Sequence, residues 1–180
     1  MNSIQEKIQK SSKIMAIILK VLIISLVVGI CVPIGTIIWI SKESNVNIVS
    51  MKGLAFYSST GQILGSTGEV IAEMCTIIVS AIFVLFILIT AYGMFKSTSR
   101  DIGPFSKSNV KRLKNIGITL LIYSLVVPIA RAGFYGSFAP EINIKSSPNM
   151  SFVVIALVFF FMAIVFGYGA ELQRQYDETL

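Results

Sequence analysis

Long uncharged stretches alternate with short polar ones along this chain. After Ile14 to Leu19 and a lone Lys20, twenty uncharged residues occupy 21–40. Twenty-two more follow Glu73, over 74–95, and twenty-one fill 150–170. A helix crosses the hydrocarbon core of a bilayer with about 20 predominantly apolar residues, so each of these three runs is long enough. A fourth run, 116–130, has fifteen residues before Arg131, about 22 Å at about 1.5 Å per residue. It crosses fully only by continuing to about Phe138, with Arg131 inside the bilayer. The pattern therefore predicts an all-α, polytopic membrane protein of one domain. Its four transmembrane helices are expected at about 14–40, 70–95, 113–138 and 150–170.

The first run follows a basic start, as the apolar region of a signal peptide does. Such regions are only about 7 to 15 residues long and end at a small-residue cleavage site. The run here is longer and is expected to be retained as a span. Lys20 can return its ammonium to the headgroups along its own helix. Pro33, between Gly29 and Gly35, is a candidate kink. Trp39 fits the interfacial aromatic belt.

Three polar segments complete the layout. A glycine-rich outer loop is expected over 41–69, a basic connector over 96–114 and a tail over 171–180. In the connector Gly103-Pro104 breaks the preceding helix, and Ser106 suits the N-cap of the next. From there Val110, Leu113 and Ile116 recur at helical spacing. Lys107, Lys111, Arg112 and Lys114 fill the other side, which predicts a basic amphipathic turn at the membrane surface. With Phe105 as an interfacial anchor, these residues are the candidate contact to lipid or to a partner.

Charge sets the orientation. Eleven of the fifteen Lys and Arg lie in the amino-terminal tail, the connector and the carboxyl-terminal tail. Lys and Arg accumulate on the cytoplasmic side, so both termini are expected in the cytoplasm. The chain is 54% hydrophobic and only 13% charged, about half the usual charged share of a soluble domain. The net charge of +6 is spread along membrane flanks, without a basic face bearing base-stacking aromatics. Anionic lipid headgroups are therefore the expected counter-charge, and direct nucleic-acid binding is not expected.

Reactive chemistry is sparse. There is no His, and no nucleophile, zincin or phosphate-loop motif. Cys31 and Cys75 supply too few ligands for a thiol metal site. They are expected to be packing residues, with a depth difference of about 6 Å weakening a disulfide between them. No enzymatic activity and no cofactor are expected. Glu73 and Arg131 fall near the same end of adjacent spans. An intramembrane charge is costly and normally paired, so these two either pair or snorkel separately to headgroups. Ala163 and Gly167 form a small-xxx-small spacing that permits close helix approach.

GPFSKSNVKRLKNIG after the second run and GYGAELQRQYDETL after the fourth together resemble a bacterial membrane family without assigned function, domain-of-unknown-function family 2975. Pro104, Phe105, Asn109, Arg112, Leu113, Ile116 and Gly117 carry the first match. Gly169, Leu172, Gln173, Asp177, Thr179 and Leu180 carry the second. One departure is that an acid often found just before the Asp is replaced here by Gln175 or Tyr176. The resemblance implies a four-span protein of the bacterial cytoplasmic (inner) membrane, encoded beside a small helix-turn-helix regulator of the Cro/C1 kind. It further implies a membrane partner that holds or releases that regulator. Glu171, Gln173, Asp177, Glu178 and Leu180 are the candidate partner-binding tail. The alternative is an accessory or immunity-type subunit that binds a peptide or a transporter in the bilayer. Oligomer formation stays open.

Overall fold

In the computed structural model, residues 3–42, 64–100, 105–142, 144 and 146–178 are described. Most of the expected outer loop, the Gly103-Pro104 break and the side chains of Asp177 and Leu180 lie outside them. The described residues are all-α: α1 (Ser3–Lys42), α2 (Thr67–Thr98), α3 (Lys107–Phe138) and α4 (Met150–Glu178). Each is long and apolar enough to cross a membrane.

Local chemistry fixes where these helices start. Ser66 accepts the Glu69 amide at 3.2 Å, and Glu69 Oε2 reaches back to the Gly65 amide at 3.3 Å. Together they satisfy one donor ahead of α2 and one in its first turn, much as a capping box does. Ser106 accepts the Asn109 amide at 3.3 Å, so the serine read as an N-cap from the sequence is one. Asn149 Oδ1 accepts the Ser151 amide at 3.2 Å and caps α4. The N–H that Pro128 lacks inside α3 leaves the carbonyl of Ser124 unfilled within the helix. That carbonyl accepts the Asn149 amide at 3.1 Å, which ties the cap of α4 to α3.

Extensive packing follows chain order: α1 on α2, α2 on α3 and α3 on α4. The helices run antiparallel. Ile40 clusters with Val70 at one end, and Thr98 bonds Asn109 at the other. The result is a serpentine of helices, not a ring closed by α1 against α4. α1 touches its neighbour along one seam. Gln9, Ser12, Ala16, Leu19, Ile23, Leu26, Ile30, Pro33, Ile37 and Ile40 alone, with Thr36, escape full exposure among residues 6–42. Alternating steps of three and four give the repeat of about 3.5 that marks coiled-coil packing. The helix runs unbroken through Pro33.

The middle of the fold is a cluster of Ile116, Leu120 and Ala156, with Ile87 and Ala91 of α2 and Phe160 of α4 around it. Tyr123 sits edge-on to Phe83 at 5.9 Å and to Phe152 at 4.5 Å, linking α2, α3 and α4. Close approach depends on absent side chains. A Cβ at Gly68 would run into the backbone carbonyl of Phe138. One at Gly117 would press on the Phe160 ring at 3.2 Å. Ala163 is buried, and Gly167 lies against Val110, so the small residues of α4 face α3. Elsewhere large apolar side chains are bare, among them Val32 at 68% and Ile164 at 68% exposure. Apolar surface on this scale is what lipid covers. The fold is that of a multi-pass α-helical membrane protein. Cys31 and Cys75 are both free thiols.

Candidate functional site

Glu73 is the most deeply buried acid of the described residues, at 1% exposure. The first turns of α2 place it opposite the last turns of α3, from which Arg131 projects. Arg131 Nη2 lies 3.3 Å from Glu73 Oε2. Tyr135, one turn further along α3, donates its hydroxyl to the same oxygen at 3.1 Å. Its ring also lies 5.5 Å from the Arg131 guanidinium carbon, within cation–π range. A carboxylate out of water thus meets a cation and a neutral donor together, the arrangement that offsets its desolvation. Tyr135 was not singled out by the sequence reading. Its only signal was its position four residues after Arg131, on the same helix face.

The ion pair forms one end of a cleft of about 860 Å³. Glu73, Ile77 and Val84 of α2 form one wall, Tyr123, Val127 and Arg131 of α3 the other. Leu26 of α1 closes one side and Ser147, Pro148 and Asn149 overhang the end. The cleft is amphipathic: polar at the ion pair and the overhang, and mainly aliphatic and aromatic between them, with Thr76 and Ser80 as polar breaks.

At the opposite end of the helices, the basic connector divides into two groups. Lys107, Lys111 and Lys114 are exposed. Arg112 is not part of that face. It turns inward, and its Nη1 donates to Ser97 at 2.8 Å and to Asn109 Oδ1 at 3.0 Å. Asn109 is fully buried and donates in turn to Thr98 Oγ1 at 3.2 Å. These bonds join the last turn of α2 to the first of α3. They also explain why the expected surface turn is instead the start of one continuous helix: Leu113 and Ile116 are buried along with Asn109.

Phe105 also has a role inside the protein. Its ring packs on Phe166 at 5.2 Å and lies over Gly169, where any Cβ would meet it at 2.7 Å. Beyond Gly169, α4 continues as helix to Glu178. Arg174 there pairs with Glu171 at 2.8 Å and with Glu178 at 3.8 Å. Gln173 is exposed. Two of the tail acids are thus partly neutralised by their own helix. Among the described residues no group of three or more His, Cys, Asp and Glu side chains could hold a metal.

The two separated sequence motifs are therefore one structural unit, with Phe105 from the first seated on Gly169 from the second. Searches of curated proteins and of solved structures return no match to the chain. A family model described as "Protein of unknown function (DUF2975)" matches residues 19–180, and the chain belongs to that family.

Proposed function

We propose that the protein is a non-enzymatic regulator in the bacterial cytoplasmic membrane, with the connector and both chain ends in the cytoplasm. There it binds or releases a small helix-turn-helix transcription regulator. The observation that carries this reading is the packing of Phe105 on Phe166 and Gly169. It joins the connector to the base of the tail helix, so a partner meets one composite surface. Exposed Lys107, Lys111 and Lys114 and the projecting residues Leu172 and Tyr176 supply basic and apolar contacts on that surface. The Lys and Arg asymmetry supports the orientation, and the exposed lysines also suit anionic headgroups.

A pull-down in mild detergent tests the reading, comparing the full chain with a truncation after Ala170. Recovery of a small DNA-binding protein by the full chain alone places docking on the tail. Recovery by both moves it to the connector. Recovery of a transporter, or of nothing, overturns the regulatory reading. A second reading, an accessory or immunity-type subunit that binds a peptide or a transporter, is favoured by the cleft beside Glu73 and Arg131. It requires that the cleft matter and the tail not.

A further inference from the structure

We propose that the cleft beside Arg131 is a binding site for a single-chain anionic amphiphile, a long aliphatic chain ending in a carboxylate or phosphate. The site stands independently of the regulator-binding surface at the other end of the helices.

Size and shape come first. About 860 Å³ lies within the range of about 300 to 1,000 Å³ typical of sites that hold one small ligand. The cleft follows α3 from Arg131 to Tyr123, eight residues, or about 12 Å along the axis. Between those points Ile77, Ala81, Val84 and Val127 present hydrocarbon, interrupted by Thr76, whose hydroxyl bonds its own helix, and by Ser80. At membrane depth water is a poor filler for such walls, whereas an alkyl chain is a good one.

Charge then selects the head group. The ion pair is neutral as a whole, but its halves are unequally accessible. Glu73 is 1% exposed and its carboxylate is held by Arg131 and Tyr135, while Arg131 is 19% exposed. The cleft thus sees guanidinium and almost none of the carboxylate. Arg131 Nε is also buried with no hydrogen-bond partner among the described residues. A guanidinium has five donors in a planar fork, matched to carboxylate or phosphate oxygens. Its Nη2 is engaged by Glu73 Oε2. An oxyanion at this end would meet the exposed part of the guanidinium, not the buried Nε, and need not displace Glu73. A cationic head would meet Arg131 first and be repelled.

The test is photolabelling of the full chain in phosphatidylcholine nanodiscs, using a long-chain carboxylate with a diazirine on its chain. Labels are mapped by mass spectrometry and competed with oleate, oleyl phosphate, methyl oleate or phosphatidylglycerol. Labels are expected on Ile77, Val84 or Val127. Oleate and oleyl phosphate should compete at concentrations about tenfold or more below methyl oleate, as a charge-assisted bond requires. The more potent of the two identifies the head group. Arg131→Gln should erase that preference. Val84→Trp fills the cleft without touching the ion pair and should abolish labelling there even if the Arg131 variant does not fold. Labels spread evenly over the lipid-facing surfaces of α1 and α4 would overturn the proposal. So would equal competition by methyl oleate, or by two-chain phosphatidylglycerol, since either result means that ordinary bilayer lipid covers the cleft.

Discussion

The backbone N–H of Asn149 donates to the carbonyl of Ser124 at 3.1 Å, and it can do so because Pro128 leaves that carbonyl without its helical partner. The proline that weakens α3 is therefore what anchors the start of α4. Pro128→Ala supplies an N–H one turn after Ser124, and α3 recaptures the carbonyl. Exchange of the Asn149 amide with deuterium should then rise about tenfold, corresponding to the loss of a bond of about 1.4 kcal/mol. Global stability should change little, because one bond replaces another. Unchanged exchange at Asn149 would show that the cap holds this loop without help from α3.

Glu73 and Arg131 should behave as a coupled pair. Removing either leaves a buried charge unmatched, at a cost of about 3 to 5 kcal/mol. The double alanine variant should cost clearly less than the sum of the two. Unfolding midpoints in detergent, taken through the full cycle, measure the coupling. Tyr135→Phe removes only the donor to Glu73 and should cost about 1.5 to 3 kcal/mol, the range for a bond to a charged group. Additive single effects would mean that the two charges are solvated independently.

The number, order and type of the helices were legible because lipid demands long uncharged runs. Glu73 and Arg131 were legible because charge is rare in such runs. The faces by which helices meet were not. α1 docks through a repeat of about 3.5 residues, yet the positions between those steps, such as Val28 and Val32, are equally apolar. In a soluble helix hydrophobicity marks the buried face. Here lipid replaces water on the other face, and the contrast vanishes. Arg112 illustrates the same limit from the polar side. Its neighbours Lys111 and Lys114 are exposed, and composition alone groups all three. Only its bonds to Asn109 and Ser97 separate it from them.

Glycines in the spans should divide by what surrounds them. Gly68→Ala forces a methyl against the Phe138 carbonyl, backbone that yields only if α2 and α3 move apart. A loss of about 1 to 3 kcal/mol is expected, as for other overpacked sites. Gly29 in α1 has no neighbour within 4 Å of the same position. Gly29→Ala should therefore be neutral, or stabilising by up to about 1 kcal/mol through helix propensity. Equal losses at both positions would point to a general demand for flexible helices in place of close packing at Gly68.

Arg112 and its lysine neighbours should also separate. Arg112→Lys keeps the charge but loses the guanidinium, whose Nη1 contacts both Ser97 and Asn109 while its Nε, Cζ and Nη2 lie over Gly93. Lysine cannot reproduce that planar geometry, and Asn109, fully buried, would lose one of its donors. A cost of about 1 to 3 kcal/mol follows, with faster deuterium exchange at the α2–α3 junction. Alanine at Lys107, Lys111 or Lys114 removes an exposed charge and should shift stability by no more than about 0.5 kcal/mol. The same lysine substitutions, combined, should weaken association of the connector end with anionic membranes or an acidic partner, and more so at low salt. If Arg112→Lys proved as silent as the lysine variants, the Ser97–Asn109–Arg112 bonds would be incidental to the junction. The connector would then be a uniformly solvated basic flank.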